Sequence, residues 1–323
     1  MVCPRTTSFW RPRLLSCRSE RAPSFPRDSR DLTILTKTLN VRTALPFLWM
    51  LLGSIAFALM GTMAHALNGS CDWQVVALAR TALVLVFVLP FAVAGGIKLV
   101  VWKSRTLWMR SVAGSVSVVC TFFALHRLPV SDVLTVTNMF PIWVALLSWP
   151  VLRERPSAGV WISIASGIVG VILIQQPHFA EGNFATLIAL LSSLSTAVAM
   201  MGLHRLQHLE TEAIVVHFSA VAVLFALASF YLFDHRYTLA SVLDGNIALL
   251  LAGIGLTATI GQVFLTKAFA AGPPAKVSVV ALTQIVFAMV LEVLLFGRYY
   301  NPLTLVGMGL VVAPTAWLLA IRL

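Results

Sequence analysis

Charge is what this sequence has least of. Only 11% of its 323 residues are charged, with 12 Asp and Glu against 23 Lys and Arg. A water-soluble domain carries about a quarter of its residues charged. Here 59% are hydrophobic and mean hydropathy is +0.90, which excludes an ordinary soluble fold. Cysteine is equally sparse. Cys3, Cys17, Cys71 and Cys120 show no CxxC or Cys/His spacing, which argues against a metal site. No Walker A pattern is present, so ATP is not the expected driver. The acids are scattered and the histidines lie mostly in links. The clustered His/Asp/Glu or Ser/His/Asp of an intramembrane enzyme is missing. No apolar segment follows the early basic residues, so they do not form a secretory signal.

What the chain has instead is apolar blocks of about 20 residues, the length of helix that spans ~30 Å of hydrocarbon. A membrane barrel would show short alternating segments of about ten residues. These runs are continuous, so the expected class is an all-α polytopic membrane protein. Ten spans are expected at 44–65, 73–97, 109–127, 131–152, 157–175, 183–204, 212–233, 246–271, 274–296 and 302–321. The links are short, so activity belongs in the bilayer or at its edges. Trp49, Trp73, Trp102, Trp108 and Trp149 fall near span ends, as an interfacial belt would. Asn68-Gly-Ser has the form of a glycosylation sequon.

Residues 1–42 differ from the rest, with nine Lys/Arg and three acids. They read as a disordered basic cytoplasmic tail, a start codon placed too far upstream, or an Arg/Ser-rich transit peptide. Such a juxtamembrane segment does not call for nucleic acid. With the N-terminus inside, the inner segments also carry Lys98, Lys103, Arg105, Arg110, Arg153, Arg155, Arg205, Lys267, Lys276 and Arg322. The outer loops carry Arg127, Arg236 and Arg298. The positive-inside rule then places both termini in the cytoplasm, and the membrane expected is a bacterial inner (plasma) membrane. Arg153 and Arg155 stop the fourth span at the inner surface, and Pro156 ends its helix.

A weak internal repeat underlies this layout. Shifted by 144 residues, FFALHRLPVSDVLTV falls on KAFAAGPPAKVSVV, with Ala124 on Ala268, Pro129 on Pro273, Val133 on Val277 and Val136 on Val280. Two halves follow, 43–177 and 183–323. Five spans is an odd number, so the halves insert as two inverted five-helix repeats. That is a transporter signature, with a site near the midplane between halves.

These stretches resemble the drug/metabolite transporter superfamily, and within it the ten-span EamA-type family. The resemblance rests on ALARTALVLVFVLP in span two, on FFALHRLPVSDVLTVTNMFPIWVALLSWPVLRERPSAGVW across spans three to five, and on GQVFLTKAFAAGPPAKVSVVALTQIVFAMVLEVLLFG across spans eight and nine. It implies secondary transport of small metabolites, with no cofactor. The chain departs from the family pattern where Arg298, not an acid, follows Phe296-Gly297, and where Glu292 replaces a usually small residue.

Polar residues inside spans are the candidate site. Arg80 lies about two turns into span two. It reads either as a cation meeting a substrate carboxylate or phosphate, or as a snorkelling residue paired with Asp72 or Asp132. Asn138 and Pro141 share the centre of span four, beside Thr135 and Thr137. Pro141 has no N–H, which leaves the Thr137 carbonyl without its helical donor. The pair reads as the kinked wall of a cavity, or as a tolerated kink with Asn138 bonding a neighbouring helix. Gln284 near mid-span nine, and Gln262 with Thr266 on span eight, are either substrate contacts or interhelical hydrogen bonds. Glu292 reads as a proton-coupling acid or as an interfacial acid balanced by Arg298 or Arg236. His126, Arg127 and Asp132 are expected to be solvated in the outer link. Gly159/Ser163/Gly167 and Gly253/Thr257/Gly261 have the spacing of close helix packing. Because span nine lacks the proline, span four is expected to carry the broken helix. The leading expectation is a transporter of an amino-acid-like or related metabolite, driven by protons or exchange. A non-transporting assembly protein and a lipid-modifying enzyme are the alternatives.

Overall fold

The computed structural model describes residues 29–67, 70–99, 104–128, 130–176, 184–232, 244–297 and 299–320. The basic tail up to residue 28, Asn68, Trp102, Lys103, Pro129, Arg236, Arg298, Arg322 and the side chain of His126 lie outside them. The chain divides into two compact units, Met1–Asn40 and Val41–Leu323. Of the first, the described part is the helical run that begins at Ser29. The second holds ten helical spans long and apolar enough to cross a membrane.

The elements are α1 (Ser29–Ala66), α2 (Trp73–Ala94), α3 (Arg105–Arg127), α4 (Val130–Thr137), α5 (Phe140–Leu147), a π-helical turn (Ser148–Leu152), α6 (Ala158–Gln175), α7 (Phe184–Arg205), α8 (Thr211–Leu232), α9 (Gly245–Ala271), α10 (Pro274–Ala281), α11 (Thr283–Phe296) and α12 (Pro302–Ala320). Without water to satisfy backbone groups, each apolar block closes its own hydrogen bonds as a helix. Polar residues mark several ends. Ser104 Oγ accepts from Leu107 N at the start of α3, and Asp244 Oδ1 accepts from Asn246 N before α9.

Spans four and nine are each two helices. Span four breaks at Asn138–Met139 between α4 and α5. Span nine breaks at Leu282 between α10 and α11. The second break adds to the one expected in span four. A proline is not required there because the surroundings supply what the helix gives up. Thr283 Oγ1 donates to the Val280 carbonyl at 2.7 Å, and Leu282, fully buried, is seated against Gly167 of α6.

The interval of 144 residues recurs in the geometry. Leu128 N bonds Ala124 O to close α3, and Gly272 N bonds Ala268 O to close α9. Arg153 N bonds Trp149 O, and Gly297 N bonds Val293 O. Both donors are left-handed, with φ 60° and 63°. The break at Asn138 falls on the break at Leu282. Spans five and ten, α6 and α12, pack on each other through the contacts Gly159–Trp317, Ser166–Leu310 and Gly170–Gly307. One number rises as the other falls, so the helices run antiparallel about a point at Ser166 and Leu310. At Gly170 and Gly307 the backbones nearly touch. A β-carbon on either glycine would stand 2.7 Å from the other's carbonyl oxygen.

Candidate functional site

The glycine ladder of α9 draws α1 close. Gly253 meets Met63, and Gly261 leaves a notch filled by Phe57, whose ring would lie 2.8–3.0 Å from a β-carbon there. The Arg80 guanidinium reaches from α2 to within 5.8 Å of the centre of the same ring. An aromatic face therefore stands beside this cation. Phe57 thus stands between Arg80 and α9 at Gly261, and the next residues on α9 include Gln262, Thr266 and Phe269. Gln262 is 6% exposed, and its Nε2 has no acceptor among the described residues. Thr266 is fully buried and gives its hydroxyl hydrogen to the Gln262 carbonyl at 2.7 Å.

Phe269 belongs to a cluster with Phe47, Met50 and Val144, against which Trp49, Phe140, Trp143 and Leu265 pack. Within it the indole Nε1 of Trp143, on α5, is buried without an acceptor among the described residues. Trp143 follows Pro141 by two residues, so the break in span four sets where it points. Gln262 Nε2 and Trp143 Nε1 are both donors.

At the break itself Asn138 turns to its own helix. Its Nδ2 donates to the Leu134 carbonyl at 2.7 Å, the carbonyl that also accepts from Asn138 N at 3.0 Å. Oδ1 takes no hydrogen bond among the described residues. Pro141 is buried at the start of α5, and Thr135 is 2% exposed. Gln284 is half-buried in the first turn of α11, beside the other break. Glu292 sits two turns further along α11. It accepts from the Tyr300 hydroxyl at 2.6 Å.

Two residues read as solvated or loop-borne are buried. Asp132 is 2% exposed in the first turn of α4. Arg110, counted among the inner-segment charges, is 1% exposed within α3. The reason is where the helix starts. Capping by Ser104 begins α3 at Arg105, four residues before the expected span, and carries Arg110 more than a turn inside. The serine cap was a readable signal for this. Phe57 and Trp143 carried no such signal, because aromatic residues in spans are ordinary packing. Among the described residues, no three His, Cys, Asp or Glu side chains are placed to hold a metal ion.

Ten helical spans, two of them broken at mid-length beside buried polar groups, define a polytopic membrane protein of transporter type. The sequence profile of the EamA-like transporter family matches residues 44–176 and again 183–320. The chain belongs to the EamA-like transporter family. It is similar to the pseudopaline exporter CntI of Pseudomonas aeruginosa, 28% identical over 265 residues that cover 81% of this chain and 91% of that one. A riboflavin transporter of Vibrio cholerae is 22% identical, covering 69% and 75%. A crystal structure superposes with a TM-score of 0.68 over 85% of this chain and 96% of that one, at 19% identity, and shows the shared fold. The chain is an integral membrane transporter.

Proposed function

We propose that the protein carries a small metabolite, amino-acid-like or a related compound, across the bacterial inner membrane by alternating access, with both termini cytoplasmic. The halves 43–177 and 183–323 act as repeats that rock about the contact between α6 and α12. The observation that carries this reading is the pair of mid-span breaks at one repeat register. Broken helices free backbone groups at the depth where a substrate crosses. Arg80 takes the acidic group of the substrate while Phe57 steadies it. Gln262, Thr266 and Gln284 with Asn138, Thr135 and Pro141 supply the polar wall. Glu292, with Tyr300, is the acid of a proton-coupled cycle, and exchange of substrates is the other driver. The named cargoes of the two relatives differ, so side chains at the site choose the substrate rather than the fold.

Thermal-shift screening with amino acids, nucleosides and sulfur metabolites identifies the ligand. Flux of that ligand in proteoliposomes then tests the site. Arg80→Ala and Asn138→Ala are each expected to reduce flux while the protein stays folded. Unchanged flux in both removes these residues from the site.

A further inference from the structure

The most deeply buried cation of the described chain belongs to no part of the site above. Arg110 lies more than a turn inside α3, near enough to the helix end for a long side chain to snorkel to water. It does not, since its exposure is 1%. Its guanidinium instead lies over Phe218 of α8, 4.2 Å from the ring centre. Two glycines make the room. A β-carbon on Gly114 would collide with Arg110 Nη1, and one on Gly202 of α7 would press on Arg110 Cβ at 3.1 Å. Beside it Ser111 Oγ lies 2.8 Å from His217 Nδ1, both buried, and Trp108 meets the His217 ring edge-on. Among the described residues Arg110 makes no ion pair, and its Nε has no acceptor.

A guanidinium so placed is expensive in a bilayer unless an anion meets it. An aromatic face offsets only part of that cost. The glycine notch on two different helices shows that the fold is shaped around this side chain rather than merely tolerating it. We propose that Arg110 is the receptor of a small-anion site where α3, α7 and α8 meet. The site opens to the inner aqueous phase during the cycle and takes a second carboxylate or phosphate of the transported molecule, distinct from the acidic group that Arg80 holds. Ser111 and His217 form its polar edge. The assignment of that anion to the cargo rests on the transport reading, whereas the site can be read without any transport.

The test uses the full chain with Cys3, Cys17, Cys71 and Cys120 replaced by Ser, and Ser111→Cys as the reporter. Purified protein in phosphatidylcholine vesicles is treated with two thiol reagents, sulfonatoethyl and trimethylammonioethyl methanethiosulfonate. With each rate divided by that of a free thiol, the anionic reagent is expected to be favoured about tenfold over the cationic one, as an unscreened nearby charge implies. Arg110→Gln should return the ratio to that of a free thiol, and Arg110→Lys should keep the preference. A reporter inert to both reagents from both sides overturns the site, as does a preference that survives Arg110→Gln. Repeating the measurement in vesicles containing phosphatidylglycerol separates the sources of the anion. Loss of the anionic preference confined to those vesicles overturns the cargo assignment in favour of a lipid headgroup. Unchanged flux with Arg80→Ala, beside a charge preference that persists at the Ser111→Cys reporter, would count against the central site and support this one.

Discussion

Ser166 Oγ donates to the carbonyl of Leu310 at 3.0 Å, and the two residues are 144 positions apart. The same interval relates the α3 and α9 ends, the two left-handed caps and the two breaks. Ser166 and Leu310 therefore mark the point where one half of the molecule meets its own counterpart.

That contact depends on bare backbone. Gly170→Val or Gly307→Val forces a side chain into a carbonyl oxygen that now lies in contact range. Each should destabilise by about 1–3 kcal/mol, read as a lower thermal midpoint in detergent. Gly309→Ala, which meets nothing within 4 Å, is the neutral control.

The two caps make opposite predictions for equivalent positions. Arg153 holds φ 60° where its counterpart Gly297 holds φ 63°. A left-handed residue with a side chain costs roughly 1–2 kcal/mol. Arg153→Gly should raise the thermal midpoint and Gly297→Ala should lower it. Arg205 Nη2 donates to the Val151 carbonyl in the adjoining π-helical turn, so the raised midpoint should persist only while Arg205 is present.

Pro141 tests the role of the break. Pro141→Ala returns an N–H that can bond the Thr137 carbonyl and join α4 to α5. Thermal stability should hold or rise while transport rate falls by about an order of magnitude, the sign of a rigidified moving part. Equal rates in proteoliposomes would show that the break is packing alone.

The α3/α7 seam is held by hydroxyls. Ser192 Oγ lies 2.6 Å from Thr121 Oγ1 and 3.1 Å from Ser117 Oγ, and it donates to the Ser117 carbonyl at 2.9 Å. Interhelical hydrogen bonds in membranes average about 0.6 kcal/mol. Ser192→Ala should therefore lower stability by about 1 kcal/mol, measured by unfolding, because Ser117 keeps Thr196 at 2.6 Å.

The sequence by itself determined the ten spans, because the thickness of hydrocarbon fixes the length of an apolar helix and lipid tolerates few charges. It carried a weak match at 144 residues, and hydrogen bonds at the helix ends fall at the same interval. It located the break in span four, because a proline cannot donate. Only the tertiary structure decided the break in span nine, where Leu282 is stabilised by Gly167 and Thr283 rather than by anything its own segment announces. Only the structure placed Arg110 and Asp132 in the interior. The burial of a charge depends on which neighbouring helices close over it, and no local stretch of sequence records that. The same holds for Arg80, whose guanidinium lies beside Phe57 of another helix, an aromatic face brought there by the notch at Gly261.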